Sequence, residues 1–116
     1  MKFIIDLPPS LNSIYRTGKG NYYKSKEAKS WEQTAGWQIK SQWKGKVIEK
    51  ECKVQITLFL KRDADIDNRL KLLLDLLEKQ NVIKNDMLIW RLEICKVLIK
   101  KDSKILPKAM IEIDKL

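Results

Sequence analysis

The stretch that most constrains how this chain can fold is Ile66-Asp67-Asn68-Arg69-Leu70-Lys71-Leu72-Leu73-Leu74-Asp75-Leu76-Leu77. Ile66, Leu70, Leu73, Leu74 and Leu77 recur at three- and four-residue steps, which predicts a helix over about 66–80 with these side chains on its main apolar face. Leu72 and Leu76 widen that face, so the helix has to be buried on more than one side, against its own chain or against a second subunit. Asn81 is placed to cap its end, and Asn85-Asp86 falls in the following turn.

Strand patterns stand on both sides of this helix. Over 53–61, Val54, Ile56, Leu58 and Leu60 alternate with Lys53, Gln55, Thr57 and Phe59. Residues 89–99 read as a long strand and 108–114 as a final one, with Asp102-Ser103-Lys104 and Pro107 between them. At the other end, 2–7 reads as a short strand stopped by Pro8-Pro9. Residues 10–24 read as an ordered loop that is basic (Arg16, Lys19, Lys24) and aromatic (Tyr15, Tyr22, Tyr23). A second helix is predicted over about 26–43, with Ser25 as N-cap and Trp31, Ala35, Ile39 and Trp43 forming its stripe. Gly36 weakens this helix and permits close packing, while Trp37 lies off the stripe, toward solvent or a partner subunit. The expected architecture is α+β, in the order β-α-β-α-β-β: a mixed sheet packed by two helices, with 1–116 as one small domain.

The chain carries 24 Lys and Arg against 15 Asp and Glu, a formal net charge of +9, which makes nucleic acid the expected partner. It has no histidine, which excludes Ser-His-Asp and Cys-His catalysis and histidine-ligated zinc. Acid–base chemistry is left to Asp, Glu, Lys, Tyr or metal-bound water. Cys52 and Cys95 fall within predicted strands without ligand spacing and are expected in or near the core of a protein from a reducing compartment. The start, Met1-Lys2-Phe3-Ile4-Ile5-Asp6, has too short an apolar run for a signal peptide, and no segment is long enough to span a bilayer; a cytoplasmic protein is expected.

Against this basic background, acid is concentrated at Asp65, Asp67 and Asp86, with Asn68 and Lys71 among them. Each has a plain reading: Asp65 as a helix N-cap, and Asp67 with Lys71 as an exposed i,i+4 pair. As a set they suit a hard cation such as Mg²⁺, which offsets the repulsion of crowded carboxylates. Lys71 then lies where it can steady phosphate oxygens. Asp63 would share a side with Asp65 and Asp67 if the backbone is still extended there, as an extra ligand or as a solvated acid. Asp86 lies past the far end of the helix, so it reaches the motif across packed elements or from a neighbouring chain.

At these residues the chain resembles the RusA family of Holliday junction resolvases. Asp65-Ile66-Asp67-Asn68 with Lys71 matches the family's D-x-D-N-x-x-K core, Asp86 matches its third aspartate, and Pro8-Pro9-Ser10-Leu11-Asn12 with Tyr15-Arg16 matches its N-terminal signature. The resemblance implies a homodimeric, Mg²⁺-dependent endonuclease that cuts four-way junction DNA by paired symmetric nicks in recombination and repair; proteins of this type often travel with phages or prophages. It implies Asp65, Asp67 and Asp86 as metal ligands, Lys71 as the catalytic lysine, and Asn12, Arg16 and Asn68 in DNA binding or site support. Lys24, Lys61, Arg62 and Arg69 join the expected DNA contacts because they flank the site in sequence. Two cuts in strands of like polarity also call for two sites, which a two-fold dimer of a single-site chain supplies. The alternatives are a Mg²⁺-dependent nuclease of flaps or forks, and a junction-binding protein without turnover.

Overall fold

A parallel pair of strands organises the molecule. The computed structural model describes residues 1–10 and 26–116, and the backbone of 15–18 and 21–24. Strand β4 (Cys52–Leu60) leads into a 3₁₀ turn (Ile66–Arg69) and helix α2 (Leu70–Lys79), and the chain returns as β5 (Ile89–Leu98) parallel to β4. Parallel neighbours cannot be joined by a hairpin; the leucine-rich helix is the required crossover. On the other side of β4 runs β6 (Lys108–Lys115), antiparallel, and β1 (Lys2–Asp6) closes the sheet in the order β1-β6-β4-β5.

The inward faces of β4 and β6 follow the period of two: Cys52, Val54, Ile56, Leu58 and Leu60 are buried, as are Ala109, Ile111 and Ile113. They share one core with Ala28, Trp31, Ala35 and Ile39 of helix α1 (Lys26–Gln42) and with Leu72, Leu73, Leu76 and Leu77 of α2. Both helices therefore cover one face of the sheet. The centre of the α2 face falls at these four leucines, while Ile66, Leu70 and Leu74 are only half buried. A Cβ at Gly36 would meet the tip of the Gln80 side chain, Nε2, at 2.6 Å.

Some expectations are corrected. Within residues 10–24, read as loop, β2 (Tyr15–Gly18) and β3 (Asn21–Lys24) pair antiparallel. Their polar, aromatic sequence has no apolar alternation to announce them. Cys52 is buried, and burial pushes its thiol pKa up, but Cys95 is exposed because β5 is an edge strand. Trp43 is half buried, edge-on to Phe3 at 6.2 Å between centroids; Trp37 is exposed, as its place off the stripe predicts, and so is Trp90. Ser25 lies outside the described residues. Among those described, no helix is long and apolar enough to cross a membrane.

Candidate active site

Asp65 and Asp67 stand where the chain leaves β4 and enters the 3₁₀ turn. The linker between them and β4 is held down by Lys96 of β5, whose Nζ pairs with Asp63 and donates to the Ala64 carbonyl at 3.1 Å. Asp63 is thus occupied as an ion-pair partner; the hydrogen-bonded Lys96 ammonium holds its carboxyl below the usual range. Asp65 takes the N-cap position with extended backbone (φ −65°, ψ 140°), yet its side chain makes no capping hydrogen bond. The plain reading of Asp65 as a side-chain cap therefore fails, and both Asp65 and Asp67 present exposed carboxylates. Lys71, exposed, follows in the first turn of α2.

Asp86 is positioned separately, beyond the C-terminal end of α2. Asn81 reverses the chain with a positive φ of 57°, and Val82 N–H returns to the Leu77 carbonyl at 2.9 Å. Val82 and Ile83 are fully buried, and Ile48 brackets the turn by donating to the Val82 carbonyl (2.9 Å) and accepting from Lys84 N–H (3.0 Å). Asp86 N–H donates to Glu78 Oε1 at 2.6 Å, and Met87 N–H to Asn85 Oδ1 at 2.8 Å. The sequence reading missed Glu78. Its signal was its place: a carboxylate in the last turn of a helix faces the negative end of the dipole and needs a donor. Helix α2 separates the two ends of the motif by roughly 15 Å. Among the described residues no three acidic or cysteine side chains gather closely enough to hold a metal ion.

Arg69 is engaged within the chain itself. It is half buried, and its Nε donates to the Pro8 carbonyl at 2.9 Å, tying the Pro-Pro segment to the carboxylate turn. Its Nη1 is buried without a partner among the described residues. Lys61 and Arg62 are exposed and line a cleft of about 280 Å³ with Lys100, Lys101 and Ser103, where β4 and β5 end. Asn12 and the side chains of Arg16, Lys24 and Asn68 lie outside the described residues.

Two exposed carboxylates on neighbouring positions of one turn are hard oxygen donors, and Mg²⁺ is commonly held by one or two carboxylates with water completing its shell. The residues present fit that ion. An α+β domain with such a pair and a lysine at the head of one helix, beside a cationic cleft, has the parts of a metal-assisted nuclease. The family model for Endodeoxyribonuclease RusA matches residues 6–114. The chain is also 41% identical over 101 residues to the Crossover junction endodeoxyribonuclease RusA of Aquifex aeolicus (strain VF5), covering 84% of this chain and 80% of that protein. The chain belongs to the RusA endodeoxyribonuclease family.

Proposed function

We propose that this chain is a Mg²⁺-dependent endodeoxyribonuclease that resolves Holliday junctions by paired symmetric nicks, acting in the cytoplasm as a homodimer. The observation that carries the proposal is the release of the Asp65 carboxylate from capping, beside exposed Asp67 and Lys71, on the family's own motif. Asp65 and Asp67 would hold the cation, and Mg²⁺ there supplies Lewis-acid stabilisation of charge on the phosphate. Lys71 opposes charge on a non-bridging or leaving oxygen. The cationic cleft of Lys61, Arg62, Lys100 and Lys101 neutralises the phosphates of a duplex arm.

The dimer reading draws on the same geometry. Asp86 stands at the opposite end of α2 from Asp65 and Asp67, so the third carboxylate is best supplied by a second copy. A two-fold pair then carries two composite sites, one for each nick.

The test is cleavage of mobile and immobile four-way junctions with and without Mg²⁺, beside forks, flaps and linear duplex. Paired nicks at symmetric positions that require Mg²⁺ are expected, and Asp67→Asn should abolish them while junction binding persists. Equal cutting of linear duplex would sink the junction assignment; binding without nicks would make the chain a junction-binding module.

A further inference from the structure

Several chain segments meet at one end of the sheet. In the parallel pair Leu60 is level with Leu98, and in the antiparallel pairs Lys108 is level with Phe59 and with Asp6. Residues 99–107, which join β5 to β6, therefore cross the end of β4 from which Lys61 and Arg62 lead on toward Asp65 and Asp67. Pro8, held by Arg69, follows β1 at the same end. The connection also lines the cationic cleft, where Ile99, Lys100, Lys101 and Ser103 meet Lys61 and Arg62.

This connection is ordered by its own hydrogen bonds, and it ends in apolar side chains. Ser103 N–H donates to the Lys100 carbonyl at 3.0 Å, closing a turn, and Ser103 Oγ accepts from Ile105 N–H at 3.2 Å. Pro107 restricts the backbone of Leu106 to extended conformations. The segment so held leaves Leu106 71% exposed and Ile105 49% exposed. Lys100, Lys101 and Lys104 precede them and Lys108 follows, with Asp102 as the sole acid of the connection. Single apolar side chains on a surface are ordinary. Two in succession on an ordered connection, among lysines, suit a ligand that carries anionic phosphates around an apolar stack. Nucleic acid has that make-up.

We propose that Leu106, with Ile105 beside it in sequence, is an apolar wedge that packs against the base pair at the branch point of a junction, while Lys100, Lys101 and Lys104 hold flanking phosphates. This rests on the junction reading above and names a residue that selects the substrate. Apolar side chains enter between base steps at the cost of unstacking them. In continuous duplex that cost opposes insertion in full. Where strands exchange, two arms part without a continuous duplex being broken, so less opposes it. The lysines act alike on both DNAs, because phosphate contacts carry no such distinction. Leu106 therefore contributes discrimination and the lysines contribute affinity.

Binding by fluorescence anisotropy tests this in the full-length chain, with EDTA present to prevent cutting, on a fixed four-way junction and a linear duplex. Leu106→Ser should lower junction affinity about tenfold, the worth of one buried leucine side chain. It should leave duplex affinity within about twofold and keep the salt slope, since no phosphate contact is lost. Leu106→Met should restore junction affinity. Lys101→Ala should instead weaken both DNAs alike and reduce the slope by about one unit. A fluorescent purine analogue beside the branch point, whose emission rises on unstacking, should brighten with the wild type and not with Leu106→Ser. Equal losses on junction and duplex, or no loss on either, overturn the wedge and leave the junction reading standing. A lower dimer content of Leu106→Ser by sedimentation overturns the wedge too, by assigning the side chain to a subunit contact. A wild-type chain that binds junction and duplex equally overturns the junction reading, and the wedge with it.

Discussion

Arg69 donates from Nε to the Pro8 carbonyl at 2.9 Å, across 61 positions of sequence. The contact joins the two segments that carry the family resemblance, so Arg69 acts as a tether between them. Arg69→Met should lower unfolding stability by about 1–3 kcal/mol, the cost of losing a charged, half-buried hydrogen bond. Denaturant unfolding measures this. The salt slope of junction binding should stay within one unit of wild type; a larger fall would make Arg69 a phosphate contact instead.

Separation of Asp86 from Asp65 and Asp67 by the length of α2 makes subunit mixing informative. If the chain is a homodimer as proposed, Asp67→Asn and Asp86→Asn homodimers should each be inactive. Mixed under exchange conditions, they form heterodimers in which a site shared between subunits is intact on one side and doubly altered on the other. Single nicks in one strand, without full resolution, are expected on a labelled junction. No recovery despite demonstrated exchange would place Asp86 with Asp65 and Asp67 of its own chain.

Glu78 accepts the Asp86 N–H at 2.6 Å and so orients the turn that presents that carboxylate. It is a positioning residue in this reading. Glu78→Ala should raise the Mg²⁺ concentration needed for half-maximal cutting by about three- to tenfold, whereas Glu78→Gln, which keeps an amide oxygen as acceptor, should restore most of it. Mn²⁺ binding followed by paramagnetic resonance supplies a readout apart from turnover. Equal behaviour of the two variants would remove the positioning role.

Lys96 holds the Asp63 carboxyl below its usual pKa by hydrogen bond and charge. A lowered folded pKa means the pair contributes above the ordinary carboxylate range and is lost as pH falls through the lower folded value. The stabilising effect therefore disappears below about pH 4. In Lys96→Met the Asp63 titration midpoint should rise toward the ordinary value, read by carboxyl carbon NMR. An unchanged midpoint would mean that something other than Lys96 sets it.

Much of the fold can be read residue by residue. The alternation from Val54 to Leu60 and the stripe Trp31-Ala35-Ile39 report which way each side chain points, and burial in the structure follows them closely. Asn81 is likewise legible, because asparagine tolerates the positive φ that ends α2. The pairing of β2 with β3 was not, since these strands lack the apolar period that marks a buried face. Exposure of Cys95 was hidden for the opposite reason: β5 has a strand's composition but, among the described residues, pairs with β4 alone.

By itself the sequence determined both helices, the strands of the four-stranded sheet, the polyanion-seeking charge and the D-x-D-N core with Lys71, all of which depend on local spacing or on totals. Tertiary structure alone decided that β5 runs parallel to β4 at the edge of the sheet, that Arg69 binds Pro8, that Lys96 pairs with Asp63, and that Glu78 accepts the Asp86 N–H. These are pairings between separate segments. Periodicity gives a residue's face within its element, but partner and register follow only from how the elements together bury their apolar surface and satisfy their backbone groups.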